Sequence, residues 1–210
     1  MNREEENIGL AEYLSSYLSY VMEPGAAQDA AEKLTDHYGT LKFIMSSSQK
    51  EIAEIAKIGM QEALALKLLG YVYSRSVTDA FKLGRAHTEE ELKEYIKALF
   101  IGYSVETIYC LPTDKHGYVI GVEYMGEGTI NSSEVYPRRI LECAAMYGAR
   151  GMIIAHNHPK GYATASSADK QATNYIKCLL KEAGVKLIAH YLVSETECLA
   201  VKMSEINDVY

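Results

Sequence analysis

One run constrains this chain more than any other: Gly151-Met152-Ile153-Ile154-Ala155, five residues without a polar side chain. A strand with one wet face alternates polar and apolar positions. A strand that does not alternate is the kind buried on both faces of a sheet, under helices. The surroundings supply what it needs. Pro137–Tyr147 and Ser166–Ala183 have helical patterns on either side of it. Val105–Leu111, Lys186–Val193 and Cys198–Met203 are rich in β-formers. Asp114-Lys115-His116-Gly117 reads as a hairpin turn, with Tyr118–Glu123 as the returning strand. The back of the chain is therefore α/β (α+β): a mixed sheet flanked by helices.

The front has a different period. Leu10, Leu14, Tyr17, Leu18 and Val21 fall at helical spacing, and Pro24-Gly25 breaks that helix. Ala26–Tyr38 follows as a second helix. Ser46-Ser47-Ser48 offers a cap before Glu51, and Gln61–Ser74 is another helix. Ala56 to Met60 has the look of a turn between two helices. Thr88 to Glu91 is a capped start for a helix running to about Phe100. The expected organisation is a small helical bundle over 1–84 and an α/β domain over 85–210.

Charge and composition exclude several functions. The chain carries 21 basic and 28 acidic residues, a net charge of −7, and neither part is basic. Non-specific nucleic-acid binding draws on Lys and Arg, so this balance disfavours it. No run approaches the roughly 18 apolar residues of a membrane span. The start, Met1-Asn2-Arg3-Glu4-Glu5-Glu6, is acidic where a secretory signal is basic. The expectation is a cytoplasmic protein with no membrane partner. Cys110, Cys143, Cys178 and Cys198 form no CxxC pair and read as free thiols.

The chemistry gathers just past the apolar strand. His156 and His158 stand at i and i+2, so in extended chain both imidazoles face one side. Pro159 and Gly161 turn the chain after them. Asp169 falls eleven residues beyond His158, in the first turn of a helix that Ser166 caps. Two imidazoles and a carboxylate suit Zn²⁺ with a fourth position open. Hydrolysis also needs a base. The upstream candidates are Glu106, Glu123, Glu127, Glu134 and Glu142. Glu123 lies in VIGVEYM, where a carboxylate is costly unless paired or functional; it is otherwise an edge-strand or solvent-facing residue.

His156-Asn157-His158-Pro159, with Ser166 and Asp169 at their spacings, resembles the JAMM signature HxH-x7-S-x2-D of the JAB/MPN fold. The HNHP-x-G form is similar to that of the RadC family. Glu123 to Thr129 resembles that family's E-E-L-F-x-G-T, and Val135-Tyr136-Pro137-Arg138 resembles its V-H/Y-P-R-E. The resemblance implies a JAB/MPN, cytidine-deaminase-like fold over the back half. It implies zinc on His156, His158 and Asp169, Glu123 as general base and Ser166 behind the oxyanion. His190 matches the His of L-D-H-x-I-V, with Ala189 in place of Asp, and reads as core or as a residue behind the ligands. Lys160 stands where the family has Ser, Arg139 where it has Glu, and Gly117 where it has Asn. The family's helix–hairpin–helix turn is degenerate here: Lys57 replaces the first Gly, and Glu62 stands where a base is expected.

The expectation for function is a zinc-dependent hydrolase, a metallopeptidase cutting an amide or isopeptide bond in a peptide or protein. Its alternatives are a nuclease or DNA-repair factor of RadC type and a non-catalytic module that keeps zinc.

Overall fold

The computed structural model describes residues 3–128, 135–159, 161–194 and 197–202. Glu134, Thr129, Lys160 and Met203 lie outside the described residues. The chain packs as two compact units, Met1–Ser76 with Ile101–Ser104, and Val77–Phe100 with Val105–Tyr210.

The first unit is helical: α1 (Arg3–Leu18), α2 (Pro24–Tyr38), α3 (Leu41–Ser46), α4 (Gln49–Ala56) and most of α5 (Met60–Ala80). Pro24 sits in the first turn of α2, where its missing N–H costs nothing. Ser48 caps α4 by accepting the Glu51 N–H at 3.1 Å. Leu18, Ala30, Leu34, Ile44, Ile52 and Leu66 are fully buried in one core. The Lys67 ammonium enters that core and donates to the carbonyls of Met45, Ser47 and Gly102, which binds Ile101–Ser104 to this unit. Lys57, after α4, is left-handed at φ 56°, the one positive-φ residue other than glycine among those described. A Cβ on Gly59 would meet the Glu62 carboxylate, so that acid lies over the hairpin itself.

The second unit contains α6 (Glu89–Leu99), β1 (Thr107–Thr113), β2 (Glu123–Glu127), α7 (Val135–Met146), β3 (Gly151–Asn157), α8 (Ser167–Glu182), β4 (Lys186–Val193) and β5 (Cys198–Ala200). Thr88 and Glu91 close a capping box at the start of α6. The sheet order is β2-β1-β3-β4-β5, antiparallel except for the parallel β3–β4 pair that α8 crosses between. All seven residues of β3 are buried. Met152 and Ile154 pack with Ile140 of α7 and with Ile176 and Leu180 of α8. Ile153 and Ala155 pack on the other face, with Tyr95, Ile96 and Phe100. Each large side chain fully buried this way contributes roughly 1.5–3 kcal/mol. The mixed sheet flanked by helices is the architecture expected from the apolar run.

The returning strand differs from expectation. Residues 118–122 form only an isolated bridge, Thr113 with Val119, and the ladder begins at Glu123. The Tyr147 ring lies so close to the backbone of Gly121 that a Cβ there would overlap it.

Candidate metal centre

β3 ends where the sheet stops, and His156 and His158 stand at that end. His156 is in the ladder, opposite Ile108 of β1. His158 is just past it, its N–H donating to Val193 of β4 at 2.7 Å. Asp169 arrives from α8. Ser166 caps that helix and closes a capping box: its Oγ accepts the Asp169 N–H at 3.1 Å, while its N–H and O–H donate to Asp169 Oδ2 at 2.8 and 2.6 Å. The box turns Asp169 Oδ1 toward the histidines.

Ligand atoms from His156, His158 and Asp169 all lie within 4.8 Å of one another. His156 Nε2 is 2.9 Å from His158 Nε2 and 3.2 Å from Asp169 Oδ1. His156 is 2% exposed and Asp169 7%. Burial opposes the charge of Asp169, but the His156 imidazole beside it and the hydrogen bonds from Ser166 outweigh that and hold the carboxyl well below the usual carboxylate range. Burial, and then His156 beside it, pushes His190 well below the usual histidine range.

The donor set fits a zinc ion. His158 Nδ1 lies 2.9 Å from the Tyr162 carbonyl oxygen, which only accepts. His158 therefore carries its proton on Nδ1 and presents a bare Nε2. That bare nitrogen, the neighbouring His156 Nε2 and the Asp169 carboxylate oxygen converge from three directions, a donor set that a cation between them would satisfy. A tetrahedral ion with bonds of about 2.0–2.1 Å spaces its donors about 3.3 Å apart, close to the separations of His156 Nε2 from its two neighbours.

A family model agrees with the fold and the motif: the RadC-like JAB domain matches residues 86–206. The chain belongs to the RadC-like JAB domain family. Bacterial relatives extend the likeness into the helical front. The UPF0758 protein of Vibrio atlanticus (strain LGP32) is 26% identical over 201 residues, covering 95% of this chain and 90% of that protein. The UPF0758 protein of Nitrosococcus oceani is 28% identical over 191 residues, covering 90% and 85%.

The RadC-like domain brings four of the five expected site residues together and leaves the fifth apart. His156, His158, Asp169 and Ser166 converge, with the Ser166 hydroxyl proton committed to Asp169 rather than to the open side of the site. Glu123 does not join them. It pairs with Cys110, which pairs with Ile154, two residues short of His156. Two strand spacings and two residues of rise separate its backbone from His156 by roughly 12 Å. Its carboxylate accepts the Tyr147 hydroxyl at 2.6 Å, and this bond, helped by burial, raises the Tyr147 pKa to about 12.

A different carboxylate stands at the right end of the sheet. Glu106 directly precedes β1 and by alternation shares the face of Ile108 and Cys110, the face His156 occupies. Its backbone is pinned on three sides. The Asn157 amide accepts the Thr107 N–H at 2.7 Å and donates to the Val105 carbonyl at 3.1 Å, and Gly128 N–H donates to the Glu106 carbonyl at 2.8 Å. Sequence reasoning held Glu106 among five candidates. The signal that singles it out is register: an antiparallel neighbour of β3 brings its first residues beside the HxH.

Proposed function

We propose that this protein is a zinc-dependent hydrolase that cleaves an amide or isopeptide bond in a peptide or protein. The observation that carries the reading is the convergence of His156, His158 and Asp169 at the end of a buried strand, with Glu106 held on the same face. Zinc bound there supplies Lewis-acid polarisation of the scissile carbonyl and lowers the pKa of water. The protein supplies the rest. Ser166 holds Asp169 in place through Oδ2. Glu106 is the general base in place of Glu123: its carboxylate takes a proton from the attacking water and returns it to the leaving nitrogen. Glu123 anchors the edge of the sheet through Tyr147.

The test combines metal content with turnover. Purified protein should carry about one zinc per chain, and His156→Ala should lose it. On a panel of peptides and isopeptide-linked peptides, Glu106→Gln should lower turnover about 10²–10⁴-fold with zinc retained. Glu123→Gln should leave turnover within a few-fold. Full activity in Glu106→Gln, or no zinc uptake by the wild type, would overturn the reading. A nucleic-acid panel run beside it addresses the nuclease alternative, against which the Glu62 carboxylate over the hairpin counts.

A further inference from the structure

Behind His156 lies a buried polar chain that the hydrolytic reading does not use. Its protons can be counted. Thr173 is one turn beyond Asp169 on α8 and has a single hydroxyl proton. Its Oγ1 is 2.5 Å from the Asp169 carbonyl oxygen, which only accepts, so the proton points there. Oγ1 is also 2.6 Å from His190 Nδ1. With its own proton committed, Thr173 can only accept, so His190 carries a proton on Nδ1. His190 is 0% exposed with no carboxylate bonded to it among the described residues, and its Nε2 is bare. That Nε2 lies 2.8 Å from His156 Nδ1, which must then donate. His156 is left with a bare Nε2, facing His158 and Asp169.

We propose that Thr173 and His190 are positioning residues that lock His156 in the tautomer protonated on Nδ1, so that Nε2 always faces a metal ion. The proposal rests on the metal site of the preceding reading. This circuit of hydrogen bonds runs from the backbone carbonyl of Asp169 through Thr173 and His190 to Nδ1 of His156. It links the backbone of one proposed ligand to the ring of another. His190 lies on β4, beside Ile154 of β3, and Thr173 on α8, so the circuit also joins the parallel strand pair to the helix that crosses it. Removing the Thr173 acceptor frees His190 to turn over its tautomer. Its Nε2–H would then donate to His156 Nδ1 and drive the His156 proton onto Nε2, where it blocks ligation.

The experiment uses the full chain and two readouts, neither of them turnover. Long-range ¹⁵N–¹H NMR of the metal-free protein reads the tautomer of each imidazole. Competition against a chromogenic chelator reads zinc affinity. The wild type should show His156 and His190 protonated on Nδ1. Thr173→Val should weaken zinc binding about 10–100-fold and move the His156 proton toward Nε2. Thr173→Ser should restore both to within about twofold of wild type. Unchanged affinity and tautomer in Thr173→Val would overturn the proposal. So would a wild-type His156 protonated on Nε2, a result that needs no variant to fold. If the wild type takes up no zinc, the metal reading fails, and the tautomer measurement still decides the circuit.

Discussion

Asn157 extends the ladder between β1 and β3 with a side chain instead of a backbone. Its amide brackets Glu106, bonding the residue before and the residue after it. On the proposed reading this gives the middle position of the HxH a task separate from its neighbours: the histidines would bind the ion, and the asparagine between them would orient Glu106. Asn157→Asp keeps the acceptor for Thr107 but loses the donor to Val105. Turnover should fall about tenfold or more, because a base misplaced by about 1 Å is costly, while zinc affinity stays within a few-fold. Chelator competition beside steady-state kinetics checks it, and parallel loss of zinc would show that Asn157 serves the ligands instead. The convergence of His156, His158 and Asp169 was legible in the sequence because their spacing favours it. The place of Glu106 was not. A Glu in an apolar context asks for an explanation, and Glu123 has one in the Tyr147 hydroxyl. Glu106 looks ordinary in sequence. Only the register of β1 against β3 gives it a place.

Among the elements, those with a cap or a strong period were legible almost to the residue. Thr88 and Ser166 announced α6 and α8, and Lys186–Val193 emerged with the bounds its composition suggested. β2 starts later than its β-rich pattern suggested: residues 118–122 carry only the Thr113–Val119 bridge, and the ladder begins at Glu123. The short helix α3 carried too few residues to show a period. The α4–α5 hairpin was recognisable, and its departure from the family turn has a measurable consequence. Lys57 is left-handed at φ 56°, ψ 44°, a conformation that glycine adopts without the Cβ penalty. Lys57→Gly should stabilise the protein by about 0.5–1 kcal/mol in urea unfolding, with an unchanged slope. A destabilised variant would mean that the lysine side chain contributes more than its backbone conformation costs.

At the scale of the molecule, the division into two units makes metal binding a local event with a distinct thermal signature. Every proposed ligand, the circuit behind them and Glu106 belong to the second unit. An ion that binds the folded state and not the unfolded one stabilises only the part whose folding builds its site. At a hundredfold excess of free zinc over its dissociation constant, the gain is about 2.7 kcal/mol. For a unit of this size, that is a rise on the order of 10 °C in its midpoint. The first unit contributes no ligand, and its own transition should stay where it is. With no Trp and 17 Tyr in the chain, calorimetry is better suited than fluorescence. The scan should show one transition that climbs with zinc and returns on chelation, beside one that ignores both. His156→Ala should hold the mobile transition still. If both transitions climb together in the wild type, the two units unfold as one, and the metal stabilises the whole chain. If neither moves while zinc is bound, the ion is held equally by the unfolded chain, and a preformed site at the end of β3 is refuted.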